Sequence, residues 1–200
     1  IRFQDERGWY RVERKVGAGH GGFHVVANPT ITLLEDLSRR DLTINAMALG
    51  TDGRWFDPFG GQQDLQDGVL RHVGPAFSED PLRVYRLARF RAKLFYEQTR
   101  VAFNVAPETM SLAASIPDSE LLALSAERVC QESRLAMQGG FPGYYWHTLK
   151  ELGKLHLWHK ELADLVGVPA GPPQHHGEPD SFVHTMMTLN FFNRWPADEK

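Results

Sequence analysis

The chain has 200 residues, of which 42% are hydrophobic and 24% charged, and its formal net charge is −3. These values fit a globular protein of one or two domains and exclude a strongly basic nucleic-acid-binding protein, so any contact with nucleic acid must be local. The single cysteine, Cys130, excludes an internal disulfide. No apolar run is long enough to span a membrane and no signal peptide opens the sequence, so we expect a cytoplasmic protein without membrane contact.

The first part of the chain predicts strands around a glycine-rich loop. Residues 1–26 alternate apolar and charged side chains in the manner of β-strands. Within them, Gly17, Gly19 and Gly22 formally satisfy the G-x-G-x-x-G pattern of dinucleotide sites. Such a site needs a helix that begins at the glycines, whereas the residues that follow are β-like and end at Pro29. We therefore predict a flexible loop and no dinucleotide site.

A short helix and a hairpin are predicted next. The helix is expected within Glu35–Met47, with Ser38 or Asp41 as its cap. Strands at Ala46–Leu49 and Arg54–Phe56, joined by an Asp-Gly turn, predict a β-hairpin.

The clearest predicted helix covers residues 81–97, where Asp80 suits an N-cap and Pro81 a first helical position. At about 100° per residue, one face is basic and the other apolar. The basic face contains Arg83, Arg86, Arg89 and Lys93, and the apolar face contains Val84, Tyr85, Ala88, Ala92 and Phe95. One face can enter a core while the other presents guanidinium groups to phosphates or base edges. Taken alone, the segment could equally be a capped surface helix with a solvated basic stripe.

Helix-forming residues dominate from about residue 107 onward. We expect helices at Thr109–Ala114, Leu121–Met137 and Tyr144–Lys154, broken by proline and glycine. The glycine- and proline-rich segment Gly167–Pro179 predicts a linker, and Phe182–Phe192 predicts a last helix.

Three motifs occur in order along the chain. They are Arg-Arg-Asp-Leu-Thr-Ile-Asn-Ala at 39–46, Asp-Pro-Phe-Gly-Gly-Gln-Gln-Asp-Leu at 57–65, and Glu-Asp-Pro-Leu-Arg-Val-Tyr-Arg-Leu-Ala-Arg-Phe at 79–90. Together they resemble the RRDxTINA, DPxxGxxDL and EDxxRxxRxxRF patterns of the class II CCA-adding enzymes, in the tRNA nucleotidyltransferase and poly(A) polymerase family. Similarity to the bacterial multifunctional type continues at 11–17, 70–77 and 166–170, so the resemblance covers most of the chain.

The resemblance implies an α+β fold with three parts. These are a partial nucleotidyltransferase head over 1–72, an all-α neck and body over 73–166, and a linker with the start of an HD-type helical domain over 167–200. It also implies that Mg²⁺ is held by a D-x-D carboxylate pair upstream, because neither D-x-D nor GG-x-V-R-D occurs in these residues. The chain is then expected to be a fragment that contains no catalytic residue or metal ligand and is inactive alone.

The same resemblance implies the nucleotide-selecting part of an enzyme that adds CCA to tRNA. Asp80 can accept from the amino group of cytosine or adenine while Arg83 donates to ring or carbonyl acceptors, which leaves G and U unmatched. The residues implied for the phosphates and ribose are Arg40, Asp41, Arg86 and Arg89. The expected partners are ATP, CTP and tRNA, with no protein partner.

Nine histidines suggest a metal hypothesis that the sequence does not favour. The pairs His156/His159 and His175–His176 have the proximity that metal ligands need, but no cysteine or suitable acid accompanies His156 and His159, which we interpret as surface residues. Residues 175–189, which include His184, resemble the start of an HD domain but contain no His-Asp dipeptide.

Two other functions stay open. A poly(A) polymerase or a dedicated A-adding enzyme of the same superfamily could contain the same arginine helix. A non-catalytic RNA-binding module could keep the arginines after losing the metal carboxylates. The 57–65 motif, with its proline and paired glycines, suits a hinge better than a reactive site.

Overall fold

The computed structural model describes residues 11–15, 23–27, 31–94, 103–172, 174 and 177–192. In these residues the strands form three short pairs. The antiparallel pairs are β1 (Arg11–Lys15) with β2 (Phe23–Ala27) and β3 (Ala48–Leu49) with β4 (Trp55–Phe56), and the parallel pair is β5 (Val69–Leu70) with β6 (Asn104–Val105). The predicted hairpin is therefore confirmed, whereas the glycine-rich loop at 16–22 lies outside the described residues.

Helices make up most of the rest. In chain order they are α1 (Leu33–Ser38), α2 (Gly61–Asp67), α3 (Leu82–Lys93), α4 (Pro107–Ser115), α5 (Asp118–Leu122), α6 (Ala126–Met137), α7 (Gly143–Glu151), α8 (Leu155–Trp158), α9 (Lys160–Ala163) and α10 (Ser181–Phe192). Two 3₁₀ turns add Thr43–Asn45 and Pro75–Glu79. The mixture of strands and helices confirms the predicted α+β class. None of the described helices combines the length and apolar character that a membrane crossing requires.

The first helix begins earlier than predicted and has a different cap. Thr32 accepts from the N–H of Glu35 at 3.2 Å, and its own N–H donates to the Glu35 carboxylate at 2.8 Å. This reciprocal capping box satisfies two backbone donors at once. The predicted caps Ser38 and Asp41 are wrong, because Ser38 ends the helix and Asp41 lies beyond it.

Two further helix predictions need correction at their ends. The predicted helix 121–137 is broken into α5 and α6, because Ser125 is extended and precedes a new first turn. The predicted helix 81–97 ends at Lys93, where Leu94 becomes extended. The body expected to be all-α contains β6, which hydrogen-bonds to the segment around β5 through Asn104 N and Ala106 N. A two-residue strand has no detectable alternation, so the sequence gives no sign of it.

The core is built around α3. Its predicted apolar face is confirmed: Val84, Tyr85, Ala88 and Ala92 are fully buried, and Phe95 lies outside the described residues. This face packs against α6 and α7. Because α3 is held along its whole length, the arginines on its other side are fixed in position relative to α6 and to the 39–46 segment.

His159 is not the surface residue that the sequence suggested. Its ring lies edge-on to Tyr145 and Trp146, with centroid distances of 5.9 and 6.1 Å, and its Nε2 is buried with no hydrogen-bond partner among the described residues. Burial lowers the pKa of His159 below its ordinary value of 6.5, and the charge of Glu161 only partly offsets this. The folded protein therefore holds this imidazole neutral.

Acid should destabilise the fold through His159. As pH falls below 6.5, the imidazole becomes protonated in the unfolded chain while it stays neutral in the folded chain. The free energy of unfolding therefore decreases by up to about 1.4 kcal/mol per pH unit until the lower pKa of the folded state is reached. We expect His159→Gln to reduce the slope of melting temperature against pH between 7.5 and 5.5. His156→Gln, on an exposed histidine nearby that lies 3.8 Å from Asp118, is the control for replacing a histidine outside the core. Equal slopes for the wild type and His159→Gln would contradict this account.

Candidate nucleotide site

Asp80 begins α3 and also makes an ion pair. Its Oδ1 accepts from the N–H of Leu82 at 3.2 Å, and its carbonyl accepts from Arg83 N at 3.0 Å. Asp80 is extended (φ −120°, ψ 103°), and Pro81 has helical angles (φ −58°, ψ −22°) directly before Leu82, the first residue of α3. The Asp80 side chain thus caps the helix as predicted, whereas α3 begins one residue after the predicted proline. One nitrogen of Arg128, on α6, lies 3.4 Å from Oδ1 and 3.3 Å from Oδ2. Asp80 thus combines a capping role with a fixed carboxylate.

Arg83 bridges three segments of backbone. Its two terminal nitrogens donate to the carbonyls of Ala76 and Arg39, each at 2.6 Å. Burial lowers the pKa of Arg83, although nearby carboxylates such as Asp41 and Asp80 favour the charged form. The guanidinium therefore ties the start of α3 to the Pro75–Glu79 turn and to the 39–46 segment, with two of its five N–H groups used on carbonyls.

Arg86 and Asp41 form the central ion pair of the site. Nε and one terminal nitrogen of Arg86 both lie 2.7 Å from Asp41 Oδ2, while Asp41 Oδ1 accepts from Asn45 Nδ2 at 3.0 Å and Leu42 N at 2.9 Å. Burial opposes the ionisation of Asp41, but the charge of Arg86 and these hydrogen bonds outweigh it, so its pKa is lowered. Burial likewise opposes the charge on Arg86, yet Asp41 and Glu132 raise its pKa. Both groups are held ionised.

Arg89 pairs with Glu132, a residue that the sequence analysis missed. Its Nε donates to Glu132 Oε2, and its guanidinium carbon lies 4.3 Å from the ring centre of Phe90. Glu132 is only 5% exposed and lies 3.9 Å from Arg86 as well. A signal for it did exist: Glu132 falls between Val129 and Ala136 on the buried face of α6, and an acid there needs a cation.

The two arginines of the 39–46 segment are also paired. Arg40 donates to Asp36 at 2.8 Å, one helical turn earlier, and Arg39 donates to Glu79. The structure thus places Arg40 beside α1 and joins Arg39 to the residue that precedes Asp80.

The 57–65 motif packs against the 39–46 segment and holds it in place. Asp57 accepts from the N–H groups of Gly61 and Gln62 at 2.7 and 2.9 Å and so caps α2. A Cβ on Gly61 would lie 2.2 Å from the Thr43 carbonyl, so only glycine permits this contact. The buried Asp64 accepts from the Thr43 hydroxyl at 2.7 Å. These contacts show a structural role for the motif, and its interpretation as a hinge stays a prediction.

The site collects charges of both signs. Six arginines meet five carboxylates, which leaves one excess positive charge at neutral pH. The arginines are Arg39, Arg40, Arg83, Arg86, Arg89 and Arg128, and the carboxylates are Asp36, Asp41, Glu79, Asp80 and Glu132. Because Arg83 donates to carbonyls and has no ion pair within 4.0 Å among the described residues, the excess charge is centred on it. Of the predicted site residues, Asp41 contacts Arg86, Arg83 donates to the Arg39 carbonyl, and Asp80 and Arg89 lie at the start and on the polar face of α3. Arg40 lies on the neighbouring segment, where it contacts Asp36 of α1.

A divalent metal does not fit the described residues. They contain no group of three or more His, Cys, Asp or Glu side chains that could hold an ion. The acids of the site are each committed to an arginine, and His184, on α10, contacts Glu178. The described residues therefore do not supply the ligands of a metal ion.

Comparison with known proteins agrees with the motifs. Residues 5–71 match the family model described as the poly A polymerase head domain. The chain is 48% identical over 187 residues to the multifunctional CCA protein of Haemophilus influenzae (strain PittGG), which covers 93% of the chain and 44% of the relative. It is 47% identical over 189 residues to that of Nitrosospira multiformis (strain ATCC 25196), covering 94% and 44%. The chain thus spans less than half the length of these relatives.

Solved structures show the same relationship. The CCA-adding enzyme of Bacillus stearothermophilus, in complex with CTP, is 34% identical, with a TM-score of 0.56 over 65% of this chain and 31% of that enzyme. A CCA-adding enzyme in an apo form has a TM-score of 0.61 over 94% of this chain and 45% of that enzyme, and its 22% identity supports the fold alone. The motifs, the fold and these relatives agree, and the chain belongs to the family of CCA-adding enzymes, the tRNA nucleotidyltransferases.

Proposed function

We propose that this chain is the nucleotide-selecting part of an enzyme that adds CCA to the 3′ end of tRNA from CTP and ATP. The observation that carries the proposal is the arginine face of α3, held with Asp80 and Asp41 in one charged cluster. The relatives named as multifunctional CCA proteins and the related enzyme solved with CTP support the same activity. In this proposal residues 1–72 belong to the head, 73–166 to the neck and body, and 167–200 to a linker and the start of an HD-type domain.

Base choice would come from Asp80, which caps α3, and from Arg83 in its first turn. The Asp80 carboxylate can accept from the exocyclic amino group of cytosine or adenine, and Arg83 can donate to a neighbouring ring nitrogen or carbonyl. Asp80 is partly exposed and its contacts to Arg128 are long, at 3.3 and 3.4 Å, so a further donor can be accepted. Arg83 already donates to two carbonyls, and its remaining N–H groups are what a base would meet.

Phosphate and ribose contacts are proposed for the other charged residues. Arg86 and Arg89 follow Arg83 along α3 at three-residue steps, and Arg40 lies on the segment tied to the same helix. Guanidinium groups suit phosphate oxygens, and Asp41 can accept from a ribose hydroxyl. Mg²⁺ would bind together with the nucleotide, and the carboxylates that hold it would lie outside the described residues.

A second candidate stays within the superfamily. The family model that matches residues 5–71 is named for poly A polymerase, so an enzyme that adds only A is a specific alternative. The two activities differ in their use of CTP. A non-catalytic RNA-binding module is the third, and it would transfer neither nucleotide.

The proposed roles of Asp80 and Arg83 can be tested in a full-length enzyme, that is, one that contains this chain and is as long as the relatives named above. Asp80→Ala and Arg83→Ala should lower the preference for CTP over UTP and ATP over GTP by roughly 5- to 150-fold, because each base contact contributes about 1–3 kcal/mol. The measurement is incorporation into tRNA lacking CCA, with each nucleotide offered alone. CTP use by the wild type separates CCA addition from A addition.

Two further variants serve as controls. Asp80→Ser keeps a helix-capping side chain but removes the carboxylate, so it should behave like Asp80→Ala if the acceptor matters more than the cap. Arg54→Ala, on the exposed hairpin turn, should change nothing. Unchanged nucleotide ratios in Asp80→Ala, Asp80→Ser and Arg83→Ala would leave α3 with a structural role and refute the selection proposal.

A further inference from the structure

Helix α6 contributes two charged residues to the site, neither of which belongs to the three motifs. Arg128 and Glu132 are four residues apart, so they lie on one face of the helix. Arg128 contacts Asp80 just before α3, and Glu132 contacts Arg89 on the polar face of α3. We propose that the two residues have different positioning roles. Arg128 positions the base-selecting carboxylate of Asp80, and Glu132 positions Arg86 and Arg89, the arginines that hold the rest of the nucleotide. The inference rests on the proposed function and extends it to residues that would not touch the substrate.

Arg128 restrains Asp80 from outside α3. The Asp80 carboxylate is held on one side by the N–H of Leu82 at 3.2 Å and on the other by a single Arg128 nitrogen that approaches both oxygens. The Leu82 contact fixes Oδ1 alone. Without Arg128, the carboxylate could rotate about its last bond, and Oδ2 would lose its defined direction. Oδ2 is the oxygen that the capping bond leaves available to a base, so Arg128 should control base choice.

Glu132 restrains the arginines further along the same helix. Its side chain is 7% exposed, and its two oxygens are directed to Arg89 Nε and, at 3.9 Å, to Arg86. Arg86 is shared with Asp41 on its other side, at 2.7 Å. Glu132 therefore neutralises part of the charge of two adjacent guanidinium groups and fixes their spacing. Its loss should change how firmly any nucleotide is held, whatever its base.

Replacing Arg128 and replacing Glu132 should therefore change different properties of the enzyme. Among the described residues, the ion pair of Arg128 is with Asp80, which would recognise the amino group, so its effect should be on the ratio between nucleotides. The ion pairs of Glu132 in the same part of the chain are with Arg86 and Arg89, proposed for ribose and phosphate, so its effect should be the same for CTP and ATP. General loosening of the contact between α3 and α6 would change both properties in both variants.

The test uses the full-length enzyme with four variants: Arg128→Ala, Arg128→Lys, Glu132→Gln and Arg134→Ala. Arg128→Ala should lower CTP-over-UTP and ATP-over-GTP selection by about tenfold, and Arg128→Lys should recover part of it because lysine keeps the charge. Glu132→Gln should raise the KM for CTP and ATP by a similar factor with unchanged selection. Arg134, exposed on the same helix, provides the control and should have no effect.

Several outcomes would overturn the inference. It fails if Arg128→Ala leaves both ratios unchanged, or if Glu132→Gln alters the ratios and Arg128→Ala does not. It also fails if both variants lower the melting temperature and change ratio and KM together, since that is a purely structural effect. If the wild type binds CTP and ATP without transferring either, the proposed function fails. Nucleotide affinities of the same variants, measured by calorimetry, would then decide the inference separately.

Discussion

Replacing Asp41 by alanine is expected to lower the free energy of unfolding by about 3 kcal/mol, the scale for breaking a buried ion pair from one side. The residue is 6% exposed, and its oxygens accept from Arg86, Asn45 and the N–H of Leu42. Alanine removes every one of these acceptor positions. Among the described residues, it also leaves the Arg86 guanidinium with Glu132, at 3.9 Å, as the one carboxylate within 4.0 Å. The loss should therefore exceed that of a surface ion pair several-fold.

Denaturant unfolding of the 200-residue chain measures this effect. Asp52→Ala is the control on an exposed acid: it removes a 3.7 Å ion pair with Arg54 and one exposed hydrogen bond from the Arg54 N–H, and it should cost at most about 1 kcal/mol. Asp41→Asn keeps an oxygen for Leu42 and Asn45 but loses the charge, so it should lie between the two. Equal stability of Asp41→Ala and Asp52→Ala would show that the central ion pair contributes nothing.

The same variants have a defined pH dependence. The folded pKa of Asp41 is below its ordinary value of 3.8, so the contribution of the carboxylate is complete above that value. It is lost as pH falls through the lower folded pKa, because the folded state must then accept a proton that the unfolded state has already bound. The gap between wild type and Asp41→Ala should therefore be constant from neutral pH down to about 4 and narrow only in stronger acid.

What the sequence predicted best was the local structure of α3. The Asp80–Pro81 start and the apolar spacing of Val84, Tyr85 and Ala88 depend on residues within two turns of each other, and the structure agrees. The cap of α1 was equally local and could have been found, because Thr32 and Glu35 form the capping-box pattern. Such features follow from the chain itself and need no tertiary partner.

The partners of the arginines could not be predicted in the same way. The basic face of α3 suggested guanidinium groups directed to solvent or ligand, whereas Arg89 pairs with Glu132, 43 residues later. Arg83 donates to a carbonyl 44 residues earlier. These contacts depend on how α6 and the 39–46 segment pack around α3, and helical periodicity shows only that a face is polar. His159 was misjudged for the same reason, since its burial comes from α7.

The 200 residues alone should incorporate no nucleotide into tRNA above an enzyme-free blank. Two-metal transfer needs paired carboxylates, and neither a D-x-D pair in the sequence nor an acidic cluster among the described residues supplies them. The acids that do lie near α3 are already paired with arginines, so recruiting them would expose uncompensated charge. The loss should be complete, because positioning the nucleotide cannot replace charge stabilisation at the transferring phosphate.

This chain should therefore bind nucleotide without transferring it to tRNA. Purified residues 1–200 are incubated with labelled CTP or ATP, Mg²⁺ and tRNA lacking CCA, beside a full-length enzyme as positive control. Calorimetry on the same preparation tests whether CTP still binds, and we expect weak binding because the cluster around α3 is complete within the chain. CCA addition by the 200 residues would refute the prediction, since it requires a metal site elsewhere in them. The first residues to replace would then be Glu6, Glu13 and Glu35. If one of them is a metal ligand, changing it to glutamine would abolish that activity.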